Sequence, residues 1–138
     1  MKQKKKSDWK TLREEILTAP NWIVNLDAND VDTVADADDD TVVVVEAIEE
    51  NVTENRFQTL SKSLLEQLSL VDFTSQSSIA MLIFLQFPLS SPIKITEMNY
   101  VNELMDNIIP KDMDCEIRWG MSPREDTISR IVCAIKTK

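Results

Sequence analysis

The residues best suited to chemistry lie in a short acidic segment in the first quarter of the chain. Asn25, Asp27 and Asp30 have the spacing N-x-D-x-x-D. Two carboxylates three residues apart project to one side of a first helical turn. There they lie at the positive end of the helix dipole, which favours the ionised form that accepts a hydrogen bond from water. Asn25 could cap the helix. Helix capping without a chemical role is the competing interpretation, because Asp and Asn are common N-caps.

The composition excludes several kinds of catalyst. The 138 residues contain no His, which removes Ser-His-Asp and Cys-His nucleophiles and any zinc site that uses His. Gly120 is the only glycine, whereas loops that cradle phosphates need several. We therefore expect a non-enzymatic chain that binds no nucleotide and no cofactor by itself. Its paired carboxylates Asp27 and Asp30 would act only in trans.

The charge balance narrows the choice of partner and compartment. The chain has 24 acidic against 15 basic side chains and a formal net charge of −9, the opposite of what a nucleic-acid binder carries. No apolar run is long enough to span a bilayer, and the basic N-terminus lacks the apolar stretch of a secretory signal. These features predict a cytoplasmic protein without membrane insertion. The lysine run at residues 2–6 is expected to be a solvated, mobile tail.

Residues 26–50 hold ten acids and no Lys or Arg. A calcium loop starting at Asp27 fails, because Asp32 and Asp38 occupy the positions that need Gly and Glu. No metal site is therefore predicted. The aspartates between Asp36 and Asp40 are interpreted as a solubility device in preference to a site for loosely held divalent cations.

Hydrophobic periodicity predicts a single α/β domain. A short helix runs to about residue 18, and the strand at Val42–Val45 opens a regular region. The order from there is β-α-β-α-β-β, which predicts a two-layer domain with a four-stranded mixed sheet, two helices packed on it and a closing hairpin. Cys115 and Cys133 fall on the two hairpin strands, where they could be cross-strand neighbours. We expect both to be reduced thiols.

The segment from Thr18 to Val34 resembles the catalytic loop of FtsZ, the bacterial cell-division homologue of tubulin. In that family the loop typically reads N-[LV]-D-F-A-D-V-[KR]-T-V, and the matching residues here are Asn25, Asp27, Asp30, Val31, Thr33 and Val34. The elements that follow have the order of the FtsZ C-terminal (activation) domain. The resemblance covers about residues 12–137 and does not include the family's GTP-binding domain.

This resemblance implies three parts: a basic tail and short helix at 1–24, an acidic loop and helix at 25–41, and an FtsZ C-terminal-like α/β domain at 42–138. The sequence departs from the family pattern at Ala28, Asn29 and Asp32 and in the aspartates of 36–40. We therefore expect the helix after the loop to be short or frayed. The terminal peptide by which FtsZ meets membrane adaptors is also not expected here.

The resemblance also implies a function. In the family, the loop of one subunit enters the nucleotide pocket of the next, where its carboxylates position the water that attacks the terminal phosphate. A chain with the loop and without the phosphate cradle is expected to bind the nucleotide face of a tubulin-like GTPase through Asn25, Asp27 and Asp30. It would then modulate or cap filaments of that partner. The alternative is a structural scaffold module that self-associates as a homo-oligomer and keeps the loop as a relic.

Overall fold

The computed structural model describes residues 2–4, 8–20, 22–71, 78–108 and 114–137. The predicted α/β class and the order β-α-β-α-β-β after the acidic segment are confirmed. Among the described residues, no helix combines the length and the apolar character needed to cross a bilayer. The elements are β1 Lys2–Lys4, α1 Asp8–Thr18, α2 Ala28–Val34, β2 Val43–Glu49, α3 Arg56–Leu68, β3 Ser78–Pro88, α4 Ile95–Ile108, β4 Asp114–Arg124 and β5 Ser129–Thr137.

The sheet has the strand order β1-β2-β5-β3-β4, with β3 and β4 parallel and the other pairs antiparallel. Strand β3 is eleven residues long and is buried along nearly its whole length. A strand that is apolar on both faces needs cover on both sides, and the interior of a sheet provides it. The four-stranded mixed sheet predicted from the sequence is therefore confirmed for β2 to β5.

The predicted closing hairpin between β4 and β5 is wrong. After β4 the chain crosses the end of β3, and β5 lies between β2 and β3, so β3 separates β5 from β4. Cys133 faces Val45 and Ile83, whereas Cys115 faces Ile79, and the two are not cross-strand neighbours. Strand β5 is buried on both faces, while the start of β4 is polar and exposed, so β4 takes the edge. Both cysteines are free thiols, and burial raises the pKa of each.

Helices cover both faces of the sheet. Helices α3 and α4 pack on one face over alternate residues such as Met81, Ile83 and Cys133. Helices α1 and α2 pack on the other face over Leu82, Phe84 and further residues that point the opposite way. The N-terminal helix and the acidic segment thus add a third layer to the predicted two.

A short fifth strand extends the sheet beyond β2. Lys2–Lys4 pairs antiparallel with Val44, Val45 and Glu46, so the expected mobile tail is wrong for these three residues. The open edge of β2 supplies the backbone partners, which the lysine side chains do not signal. The other lysines of the run lie outside the described residues.

Candidate functional site

The loop between α1 and α2 is fixed to the edge strand β4 by its backbone. The N–H groups of Ile23 and Val24 donate to Met121 O at 3.0 and 3.3 Å, and Met121 N–H donates to Val24 O at 2.9 Å. This isolated antiparallel bridge holds the loop immediately before Asn25. We call the described residues 20 and 22–27, which the bridge anchors, the clamped loop.

Gly120 makes this close approach possible. A Cβ atom at this position would lie 2.6 Å from Leu26 Cγ and 2.7 Å from Val24 O, closer than side-chain carbons come to such atoms. Leu26 is only 3% exposed and belongs to the core that α1 and α2 form with the sheet. The single glycine therefore serves to seat the loop on β4.

Two further contacts hold the start of the clamped loop. Ser122 Oγ donates to Pro20 O at 2.9 Å, which adds a tether next to the backbone bridge. The ring of Trp22 packs against Phe84 with 5.4 Å between centroids. These contacts anchor the loop on both the edge and the face of the sheet.

The two aspartates form a capping box at the start of α2. Asp27 Oδ1 accepts a hydrogen bond from Asp30 N–H at 3.1 Å, and Asp30 Oδ2 accepts one from Asp27 N–H at 3.0 Å. The arrangement satisfies two backbone donors that a helix start leaves free. Both residues therefore cap the helix, and each carboxylate faces the other residue's backbone across the first turn.

The candidate site residues differ in their exposure to solvent. Asn25 and Asp27 are exposed, and the Asp30 side chain is 20% exposed. Asp30 Oδ1, which takes no part in the capping box, lies 3.8 Å from Arg118 Nε. Helix capping thus engages one oxygen of each aspartate, and the exposed Asn25 lies two residues before the N-cap Asp27.

The aspartates after the loop hold α1 and β5 in place. Arg13 donates to Asp32 at 2.7 Å and to Ala35 O at 3.2 Å, and Trp9 Nε1 donates to Asp36 O at 3.0 Å. Hydrogen bonds from Lys136 and Thr41 lower the pKa of Asp39 to about 2. No group of three acidic or thiol side chains in the described ranges converges on a possible metal position.

Comparison with solved structures identifies the fold. A tryptophan-to-tyrosine mutant of FtsZ from M. jannaschii superposes with a TM-score of 0.61 at 17% identity, over 90% of this chain and 35% of the other. An empty FtsZ dimer from the same organism gives a TM-score of 0.59 at 18% identity, over 88% and 33%. The chain has an FtsZ fold. It spans about a third of the FtsZ chains, consistent with their C-terminal domain.

No protein-family model matches the sequence, and no curated protein matches it. At this identity the likeness to FtsZ concerns the fold, and it agrees with the resemblance inferred from residues 18–34 and the element order. The activity and partners of FtsZ are not carried over by it.

Neither the contact of Gly120 with the loop nor the roles of Arg118 and Arg130 could be inferred from the sequence. Gly120 allows the loop to pack closely on β4, and Arg118 of the same strand faces Asp30. Arg130 is buried between α1 and the sheet, where it bonds Glu46 and Glu15, each at 2.6 Å. An isolated arginine or glycine carries no signal of such a tertiary contact.

Beside Arg130, an open cleft of about 530 Å³ is lined by Pro20, Gln86, Leu89, Pro123, Arg124, Glu125 and Asp126.

Proposed function

We propose that this FtsZ-like chain binds the nucleotide-bearing face of a tubulin-like GTPase and modulates or caps its filaments. The observation that supports the proposal is the placement of Asn25, Asp27 and Asp30 at the start of α2, after a loop clamped to the sheet, with Asn25 and Asp27 exposed and Asp30 partly exposed. A loop that is already ordered loses little conformational entropy when it enters a partner's cavity. On this proposal the protein works in the cytoplasm, beside a GTPase of the cell-division cytoskeleton.

The chemistry of the proposed contact with the partner depends on the carboxylate oxygens that the helix capping box does not use. Asp27 Oδ2, which the capping box does not use, can accept a hydrogen bond from a water molecule beside a terminal phosphate, and Asp30 Oδ1 can do so beside its ion pair with Arg118. The helix start behind them favours negative charge at this position. Asn25 lies ahead of the capping box, where its amide can bond the phosphate or its metal. The role of these residues is therefore to position groups in a site that the partner provides.

The proposal also accounts for an effect on filaments. These 138 residues contain a single glycine and no phosphate-cradling loop, so they offer one half of a head-to-tail contact. A subunit with one half of such a contact can end a filament and cannot extend it in the same direction. Binding of this chain is thus expected to end the filament.

The test measures GTP turnover and sedimentation of an FtsZ in the presence and absence of this protein. Asp27→Asn keeps an N-cap side chain and removes a charge from the loop, and Asn25→Ala removes the amide. We expect both variants to lose the effect on turnover while the fold is kept. Asp40→Asn, which makes the same charge change at an exposed site outside the loop, is the matched control and should behave as the wild type.

Two results would contradict the proposal. One is the absence of any change in turnover, sedimentation or complex formation with the wild-type protein. The other is an effect that Asp27→Asn and Asn25→Ala leave intact, because it would have to arise elsewhere on the surface. That second result would favour the alternative of a self-associating scaffold with a relic loop.

A further inference from the structure

Strand β4 forms one edge of the sheet, and half of that edge is open. Met121 directs its N–H and C=O outward to Val24 and Ile23. Because backbone groups of alternate residues in a strand point to the same side, those of Cys115, Ile117 and Trp119 also point outward. No described residue bonds them there. An open edge of this kind is a template for another strand.

The side chains beside this open edge carry opposite charges at a fixed spacing. Glu116 and Arg118 project from the same face of β4, and Arg118 Nη2 lies 2.9 Å from Glu116 Oε1. Cys115, Ile117 and Trp119 project from the opposite face and pack at the margin of the α3/α4 core. The edge is therefore polar and charged on one face and apolar on the other.

We propose that two copies of this chain pair through β4, antiparallel and about a two-fold axis at Ile117. The outward groups of Ile117 then bond those of the partner's Ile117. Glu116 lies opposite the partner's Arg118, and Arg118 opposite the partner's Glu116, as non-hydrogen-bonded pairs whose side chains approach most closely. The same patch serves both subunits, as a closed two-fold interface requires.

The charges select this register over its neighbours. A shift of the axis to Glu116 would place Glu116 opposite the partner's Glu116, and a shift to Arg118 would oppose two arginines. Like charges directly opposite each other destabilise a strand pair. Shifts of a single residue would leave the outward N–H and C=O groups without partners.

The length of the pairing is limited at one end by the clamped loop. The bridge from Val24 occupies Met121, and Pro123 has no N–H to donate. The pairing therefore runs over residues 115–119, which is short for a permanent interface. We expect a dimer that dissociates on dilution.

The experiment measures the mass of the full chain by sedimentation velocity across a dilution series. Arg118→Glu and Glu116→Arg each replace two attractive pairs by two repulsive ones. Either variant should raise the dimer dissociation constant about tenfold or more. An equimolar mixture of the two variants restores both attractive pairs and should dimerise, as should the double swap Glu116→Arg/Arg118→Glu. Far-ultraviolet circular dichroism confirms that each variant folds.

A crosslink tests the register directly. In a Cys115→Ser background, Ile117→Cys places two thiols across the axis at a separation that suits a disulfide, so oxidation should give a covalent dimer. A wild-type monomer throughout the series, a dimer indifferent to Arg118→Glu, or an uncomplemented mixture would each overturn the proposal. None of these assays contains a GTPase, so they fail or succeed independently of the proposed function.

Discussion

Replacing Gly120 by alanine tests the seating of the loop on β4. The new Cβ would stand 2.6 Å from Leu26 Cγ and 2.7 Å from Val24 O, about 1 Å inside ordinary contact. Leu26 could turn aside, but the carbonyl oxygen belongs to the bridge with Met121 and moves only if the bridge opens. Overpacking of this kind costs about 1–3 kcal/mol. The reduced freedom of alanine in the unfolded chain returns about 0.4–1 kcal/mol.

The expected net loss of stability for Gly120→Ala is about 1–2 kcal/mol. Urea unfolding followed by tryptophan fluorescence measures it, because Trp22 packs in the affected region. With a slope near 1.5 kcal/mol/M, the midpoint should fall by about 1 M. The slope itself should stay unchanged, since the compactness of the unfolded chain is not altered.

A double-mutant cycle with Leu26→Ala locates the cause. Leu26→Ala alone leaves a cavity and costs about 2–5 kcal/mol. In the double variant Gly120→Ala should cost less than it does alone, because the Cγ contact has gone while the contact with Val24 O remains. A neutral or stabilising Gly120→Ala, or strictly additive losses, would refute the role of the glycine.

Three further results are expected. Asp27→Ala should lower stability by about 1 kcal/mol in thermal melts and Asp27→Asn by much less, since asparagine keeps the cap. Arg56→Met should cost about 3–5 kcal/mol in urea, because it leaves Glu97 buried without its cation; the double variant with Glu97→Leu should recover most of the loss. The pKa of Asp39 falls from 3.8 to about 2 through the hydrogen bond from Lys136, so its stabilisation is present above pH 4 and is lost as the pH falls towards 2. Asp39→Asn should flatten that part of the melting temperature against pH, and an unchanged acid limb would contradict the assignment.

The ion pair of Arg56 with Glu97 is buried and well bonded. Arg56 donates to both carboxylate oxygens, at 2.8 and 3.0 Å, and is itself only 2% exposed. Burial by itself would raise the pKa of Glu97, but the bonds from Arg56 and from Lys94 N–H outweigh it and hold the pKa below its usual value. This balance is the reason that removing one partner is costly while removing both is tolerable.

Local patterns predicted the elements and failed on their order in the sheet. Local patterns mark β2 to β5, α3 and α4: apolar runs for β2, β3 and β5, alternation for the start of β4, and spacings of three and four residues for the helices. The hairpin between β4 and β5 was predicted from adjacency along the chain. The overriding fact is that β3 and β5 are apolar on both faces, which requires interior positions for both. Strand β1 was missed because its pairing depends on the edge of β2 and not on its own side chains.

The candidate site also has features that local spacing predicts and features that only tertiary contacts determine. The capping role of Asp27 and Asp30 can be inferred locally, because their D-x-x-D spacing is that of a capping box. The seating by Gly120 and the approach of Arg118 to Asp30 join residues about 90 positions apart in the chain, so no local pattern contains them. The spacing suggested the chemistry of the turn, and the tertiary contacts decide its orientation and exposure.

Helix α2 by itself cannot hold the loop in one conformation. A helix of seven residues is unstable in water, where nucleation outweighs the few hydrogen bonds it gains. Its stability must be tertiary: Val31 and Val34 are buried against the sheet, and Arg13 ties Asp32 to α1. The N-x-D-x-x-D motif is therefore presented as one rigid turn only when α1, α2 and the Gly120 seat are assembled on the second face of the sheet. An isolated peptide with the same motif should lack this geometry, and any activity of the loop belongs to the folded three-layer protein.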